Sequence, residues 1–297
     1  MKQAVLLLAH GAPERVEEVA EYLGIVRGGR PLPPHAIGEI ERRYRRIGGG
    51  SPLAARTREQ ARALQQRLPG VPVYFAMRNW RPFIRDVVAG MQADGVERMV
   101  AICLAPQYSK MSVGFYFRKV QEARQALGVE AEIVWTKSFH DHPALIRAFR
   151  ERLQQSRDRE GAGKNKVLFT AHSLPEKILD SADPYDTESR TTARLVAESA
   201  GVPEWDFAYQ SQGMTQEKWL GPTVESCLDR YAAEGLREVV LDPIGFVCDH
   251  VEILFDIDIL FRDYAGQRNI RLTRPESLND SPAFIDALAD VASQRLR

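Results

Sequence analysis

The sequence predicts an α/β fold of two similar domains, each a parallel β-sheet flanked by helices, with a cleft between them. Three observations carry this expectation. Short runs rich in Val, Leu and Ile alternate with longer helical patterns, as βαβ units require. The stretches VLLLAHGAPE (Val5–Glu14) and VLFTAHSLPE (Val167–Glu176) agree at six of ten positions. A second pair, DGVERMVAI (Asp94–Ile102) and EGLREVVLD (Glu234–Asp242), shares an acid-Gly-apolar lead into a Val-rich run. Two echoes in the same chain order indicate two halves built alike.

The first half reads as strand AVLLLA (4–9), a helix over Arg56–Leu68, strand VPVYFAM (71–77), a helix over Pro82–Asp94, and strands MVAICLAP (99–106) and EIVWTKS (132–138). Near-continuous apolar runs of this kind mark strands buried on both faces of a parallel sheet. The second half repeats the scheme with KVLFTA (166–171), a helix over Asp186–Gly201, DFAYQS (206–211), a helix over Pro222–Gly235 and EVVLDPIGF (238–246). The boundary falls near Lys137–His142, giving domains 1–138 and 139–280, and DREGAGKNK (158–166) reads as a polar surface loop. Ser281 before Pro282 marks the start of a tail helix, residues 281–297, expected to pack back on the first domain.

Forty basic residues balance forty acidic ones, so nothing in the charge asks for nucleic acid. With 44% hydrophobic and 27% charged residues, the composition is that of a soluble globular protein. Three scattered cysteines, Cys103, Cys227 and Cys248, argue against a disulfide framework and suit a reducing compartment. The N-terminal apolar run lacks a cleavage pattern, and no run approaches the roughly 18 residues of a membrane span. A cytoplasmic protein with no stable membrane insertion is expected.

In open parallel sheets the binding crevice lies beyond the carboxyl ends of the strands. His10 and His172 both sit there, at equivalent places in the repeat; alone, either could be an ordinary turn residue. Glu252 and Asp256 lie four apart and would share a helical face. One reading makes Asp249 an N-cap with Glu252 at N3, the acids being solvated surface. Against it, Glu252 is flanked by Val251, Ile253, Leu254 and Phe255, a costly setting for an acid without a task. His140 and His142 in FHDHP read as surface.

AHSLPEKI with DPY, YQSQG with WLGPT, GFVCDHVEILFDID, and in the first half IGGGSPL and LAPQYS closely resemble the ferrochelatases, enzymes that insert ferrous iron into a porphyrin. The resemblance covers essentially the whole chain. It implies a pair of Rossmann-like domains enclosing a porphyrin cleft, the chelatase fold.

Metallating a porphyrin needs a metal delivered to the ring, two pyrrole protons removed and the ring bent toward the metal. A neutral imidazole and a carboxylate meet the first two needs. Carried over by the resemblance, His172 and Glu252 are the catalytic, Fe2+-binding pair, with Asp256 on a proton or metal path and His250 supporting the active helix. Leu260 stands where a common form of the family repeats an acid. The resemblance places Arg27, Arg43, Tyr44, Ser51 and Tyr116 around the macrocycle, where arginine can hold a propionate and the Ser51–Pro52 helix start can favour an anion. The plainer reading of these residues is a capped turn beside a solvated basic face. In coproporphyrin-using relatives a tyrosine in AYGTP ligates product iron; here AHGAP puts His10 in its place, opposite His172. The expected reaction is insertion of Fe2+ into coproporphyrin III, with no permanent cofactor, no iron–sulfur cluster and a monomeric chain. Alternatives are protoporphyrin IX as substrate, cobalt or nickel insertion into sirohydrochlorin, and non-catalytic haem binding.

Overall fold

The computed structural model describes residues 1–159, 165–213 and 217–296. The chain runs β1 (Gln3–Ala9), α1 (Val19–Val26), α2 (Pro34–Arg46), α3 (Leu53–Arg67), β2 (Val73–Met77), α4 (Ile84–Ala93), β3 (Arg98–Cys103), α5 (Val113–Leu127) and β4 (Glu132–Thr136). The second half follows with α6 (Pro143–Arg159), β5 (Lys166–His172), α7 (Tyr185–Ser199), β6 (Trp205–Gln210), α8 (Val224–Ala233) and β7 (Glu238–Asp242). A π-helix (Glu252–Phe261) runs directly into α9 (Arg262–Gly266), and β8 (Arg271–Thr273) and α10 (Pro282–Ser293) complete the chain.

The expected duplication is realised strand for strand. Two four-stranded parallel sheets have the orders β2-β1-β3-β4 and β6-β5-β7-β8, the same order displaced by four. In each, the chain leaves the first strand toward one neighbour and returns on the other side, which creates a topological switch point at the carboxyl end of β1 and of β5. Asp158 and Arg159, read as the start of a loop, continue α6, and residues 160–164 of that loop lie outside the described residues. The short β8 and helices α1, α2, α5 and α6 complete the layers beyond the elements predicted.

Alternation along each strand divides its side chains between two faces. Val5 and Leu7 of β1 join one core cluster while Ala4, Leu6 and Leu8 join another beneath α4 and α5. On β5, Val167, Phe169 and Ala171 point into that same first cluster, and Leu168 faces α8 and the π-helix. One apolar core therefore touches the inner faces of both sheets, filled by Leu64 of α3, Leu145 and Phe149 of α6, and Phe284 and Leu288 of α10. The tail helix packs against both α3 and α6. Arg67 on Asp286 at 2.7 Å, and His142 on Asp290 at 3.3 Å, fasten its two sides. His142, read as surface, is thus part of this seam.

A polar clamp joins the halves near the cleft. Asp183 of DPY is buried and accepts from the Ser109 hydroxyl at 3.0 Å and the Lys110 N–H at 2.8 Å, both in or next to LAPQYS. Gln107 donates to Thr192 and to the Ile244 carbonyl. Two motifs far apart in sequence thereby explain each other: a buried carboxylate is tolerable because the opposite half supplies its donors.

Asp242, at the end of β7, differs: among the described residues no donor meets its Oδ2. It is 2% exposed, and its Oδ2 is buried without a hydrogen bond. Burial pushes its carboxyl from 3.8 up to about 8. The folded chain then holds a proton that the unfolded chain releases, so stability falls as pH rises between those values. Asp242→Asn should remove this slope. The variant's urea midpoint is expected to gain on the parent's between about pH 5 and pH 8; parallel pH profiles would show that the carboxyl is not buried in this state.

Candidate active site

An open cleft lies where the carboxyl ends of the two sheets meet. Of the ten residues singled out in the sequence, His10, Tyr116, His172, His250 and Glu252 line it.

His172 is the last residue of β5. Its Nδ1 donates to the Ser173 carbonyl at 2.5 Å, which fixes the tautomer and directs the Nε2 lone pair to the cleft. The Tyr185 hydroxyl donates to the His172 carbonyl at 2.8 Å and holds the main chain from behind. Gly245, after β7, lies so close that a Cβ there would approach Ala171 to 2.8 Å, so only glycine lets this loop meet β5. Nε2 stands 3.6 Å from one oxygen of Glu252, and His250 Nε2 stands 3.6 Å from the other. His250 is oriented in the same way, its Nδ1 donating to the Cys248 carbonyl at 2.9 Å. Glu252 is thus a carboxylate between two imidazoles.

The side chains of His172 and Glu252 keep 31% and 33% of their surface open, but only toward the walled cleft. Burial disfavours charge on both. It is outweighed on Glu252 by the two imidazoles, which hold its carboxyl well below 4.5, and on His172 by Glu252, which keeps the imidazole above 6.5. The carboxylate thus strengthens the hold of the neighbouring imidazole on its proton.

The Asp249 capping reading does not hold. Asp249 accepts from Ser277 at 2.7 Å, Asn279 at 2.9 Å and Arg274 at 3.3 Å, and its own N–H donates to Asn279. It anchors the loop before Glu252 to the 274–279 segment. The helix bearing Glu252 is a π-helix, a form frequent at functional sites. Asp256 does not line the cleft: it is 9% exposed, accepts from Ser211 at 2.5 Å, and is pushed by burial up to about 6. Leu260 is exposed at the surface.

On the opposite wall, His10 follows β1. Its Nδ1 donates to the Gly11 carbonyl at 3.0 Å and meets the Tyr22 hydroxyl at 3.2 Å, while Nε2 accepts from the Asn79 amide at 3.0 Å. Burial, and then Arg78, push its pKa down to about 4, so this imidazole is neutral. Arg78 also stacks on Tyr116, 4.9 Å from the ring centroid, and lines the cleft. Arg78, Asn79 and Tyr22 were missed in the sequence, although Arg78 and Asn79 directly follow β2 and obey the strand-end rule that singled out His10.

The remaining expected residues lie outside the cleft lining. Arg27 ends α1 and donates to the Arg30 carbonyl. Arg43 on α2 pairs with Glu39 at 2.9 Å and stacks over Phe255 of the π-helix at 5.4 Å, joined there by Arg46 at 5.6 Å. Tyr44 is 2% exposed. Ser51 is buried, its N–H donating to the Pro13 carbonyl and its hydroxyl accepting from Leu53 N–H, so the helix start spends one of its free donors internally. Of these, Arg43, with Arg46 beside it, ties α2 to the π-helix through Phe255.

The charge balance of the pair gives a direct check. In Glu252→Gln, the group that holds His172 up is gone while burial remains. The His172 imidazole, followed by NMR titration, should move from above 6.5 to below it; an unmoved titration would show that Glu252 does not set its charge.

The ferrochelatase family model matches residues 2–296. A ferrochelatase of Acidobacterium capsulatum is 46% identical over 99% of this chain and 95% of that relative. A coproporphyrin III ferrochelatase of Geobacillus kaustophilus is 38% identical over 98% of this chain and 95% of its own length. Among solved structures, SirB of Bacillus subtilis with Fe3+ superposes with a TM-score of 0.65 at 12% identity, covering 99% of this chain and 95% of that one, a likeness of fold. The chain, with its duplicated sheets and its carboxylate held between two strand-end and loop imidazoles, belongs to the ferrochelatase family.

Proposed function

We propose that the protein inserts Fe2+ into coproporphyrin III, yielding the iron porphyrin and two protons. The observation that carries this reading is the His172–Glu252 pair facing the cleft between the sheets, with the imidazole oriented from behind by the Ser173 carbonyl. The relatives named coproporphyrin III ferrochelatases, matching over nearly the full chain, support the substrate. Arg78 in the cleft gives a cation that a propionate-bearing macrocycle favours. Among the described residues no helix is long and apolar enough to cross a membrane, in keeping with a polar porphyrin taken from water.

The macrocycle lies between the walls, with His172 and Glu252 on one face and neutral His10 on the other. Ferrous iron meets the Nε2 of neutral His172 beside the Glu252 carboxylate. As the two N–H nitrogens of the ring turn their lone pairs to the metal, one proton passes to the Glu252 carboxylate and the other to His172 Nε2 once the iron has left it for the ring, with His250 beside the other carboxylate oxygen. Asp256, one step along the helix and raised to about 6, changes charge near neutral pH and can relay protons outward through Ser211.

Anaerobic assays with Fe2+ and either coproporphyrin III or protoporphyrin IX test the reading. Coproporphyrin III is expected to be preferred in kcat/KM by about tenfold or more, one to two kcal/mol of recognition for the added propionates. His172→Ala and Glu252→Ala should each lower kcat by roughly a hundredfold or more. A preference for protoporphyrin IX would reverse the substrate assignment, and variants as active as the parent would remove the pair from the chemistry.

A further inference from the structure

The Nε2 of His10 has a single lone pair, and Asn79 already occupies it. Since Nδ1 faces the Gly11 carbonyl, it must carry the ring proton, and a neutral ring leaves Nε2 purely an acceptor. The Asn79 amide donates to it at 3.0 Å. The ring itself is pinned: Nδ1 is held by Gly11 and Tyr22. Asn79 N–H donates to the His10 carbonyl and Arg78 N–H to the Ala9 carbonyl, both at 2.9 Å, tying the ends of β1 and β2 together. Gly11, at φ +86, sits so tightly on Trp80 that a Cβ would come within 2.8 Å. The part free to leave is the Asn79 side chain, which can swing on its own torsions.

We infer that Asn79 is a positioning residue that caps His10 and must release it before this imidazole can bind iron on the face opposite His172. The inference rests on the reading of His10 as a ligand of the product iron. One lone pair serves either the amide hydrogen or the metal, so the two states exclude each other. The exchange costs the complex one hydrogen bond, which weakens His10 ligation and shortens the time the iron porphyrin is held. Before metallation the same cap keeps the imidazole from competing with His172 for incoming iron.

The test uses the full chain with added iron coproporphyrin III. Asn79→Leu, which keeps the shape of the amide but donates nothing, is compared with Asn79→Ala, His10→Ala and the His10→Ala/Asn79→Leu pair. Resonance Raman and EPR spectra of the ferric complex report imidazole ligation, and transfer to excess apomyoglobin reports release. Both Asn79 variants should raise the histidine-ligated fraction and slow release by roughly fivefold, the worth of one hydrogen bond. The effect should vanish in the His10→Ala background, and affinity for metal-free coproporphyrin III should not change. If His10→Ala alters the iron spectrum while the Asn79 variants match the parent, the cap is refuted and the ligand reading stands. If His10→Ala leaves the spectrum unchanged, the ligand reading fails and the cap with it. An equal change in metal-free binding would make Asn79 a packing residue and overturn the proposal.

Discussion

The cleft depends on keeping one carboxylate charged where solvent is scarce. Glu252 cannot stay ionised there on its own, because desolvation of a carboxylate costs more than almost any other burial. Two imidazoles at 3.6 Å make it possible. Each is usable only because its far nitrogen is tied to a main-chain carbonyl, and those carbonyls lie where they do because parallel strands end together at the switch point. The demand propagates outward: Gly245 must be small for the loop to meet β5, Tyr185 must back the His172 carbonyl, and Asp249 must fasten the loop to the 274–279 segment.

Internal duplication supplied the places but not the roles. His10 and His172 end equivalent strands, yet their neighbours drive them to opposite states. Burial, with Arg78 beside it, keeps the first imidazole neutral across the useful pH range, while Glu252 outweighs burial at the second and raises its pKa above 6.5. A flat ligand between them meets a cation-bearing wall and an acid-bearing wall. That asymmetry is what a repeated scaffold needs if one face is to bind and the other to do chemistry.

Much of this was legible in the residues. Apolar runs and strand-end histidines are local signals, and the period of the runs fixed the parallel sheets. Resemblance then gave Glu252 its role, where spacing alone allowed a solvated helix face. What was not legible is what depends on distant partners. Asp249 looked like a cap because a cap is a local pattern, whereas its real partners lie 25 to 30 residues on. The π-helix has the same four-residue acid spacing as an ordinary helix and leaves no local mark. Arg43 was expected at a propionate, and its stacking on Phe255 is visible only once α2 and the π-helix meet. Arg78 and Asn79 escaped because the end of β2 has no echo in the second half, even though it meets the same crevice.

The tail helix has a mechanical meaning. By inserting Phe284 and Leu288 into a core that both sheets share, α10 works as a keystone between two halves that a hinge would otherwise let swing. Opening the cleft like a clamp would tear apolar side chains from close packing on both sides at once, a cost the interior resists steeply. The walls therefore behave as a slot of set width. A guest that widens the cleft must therefore work against both sheets at once.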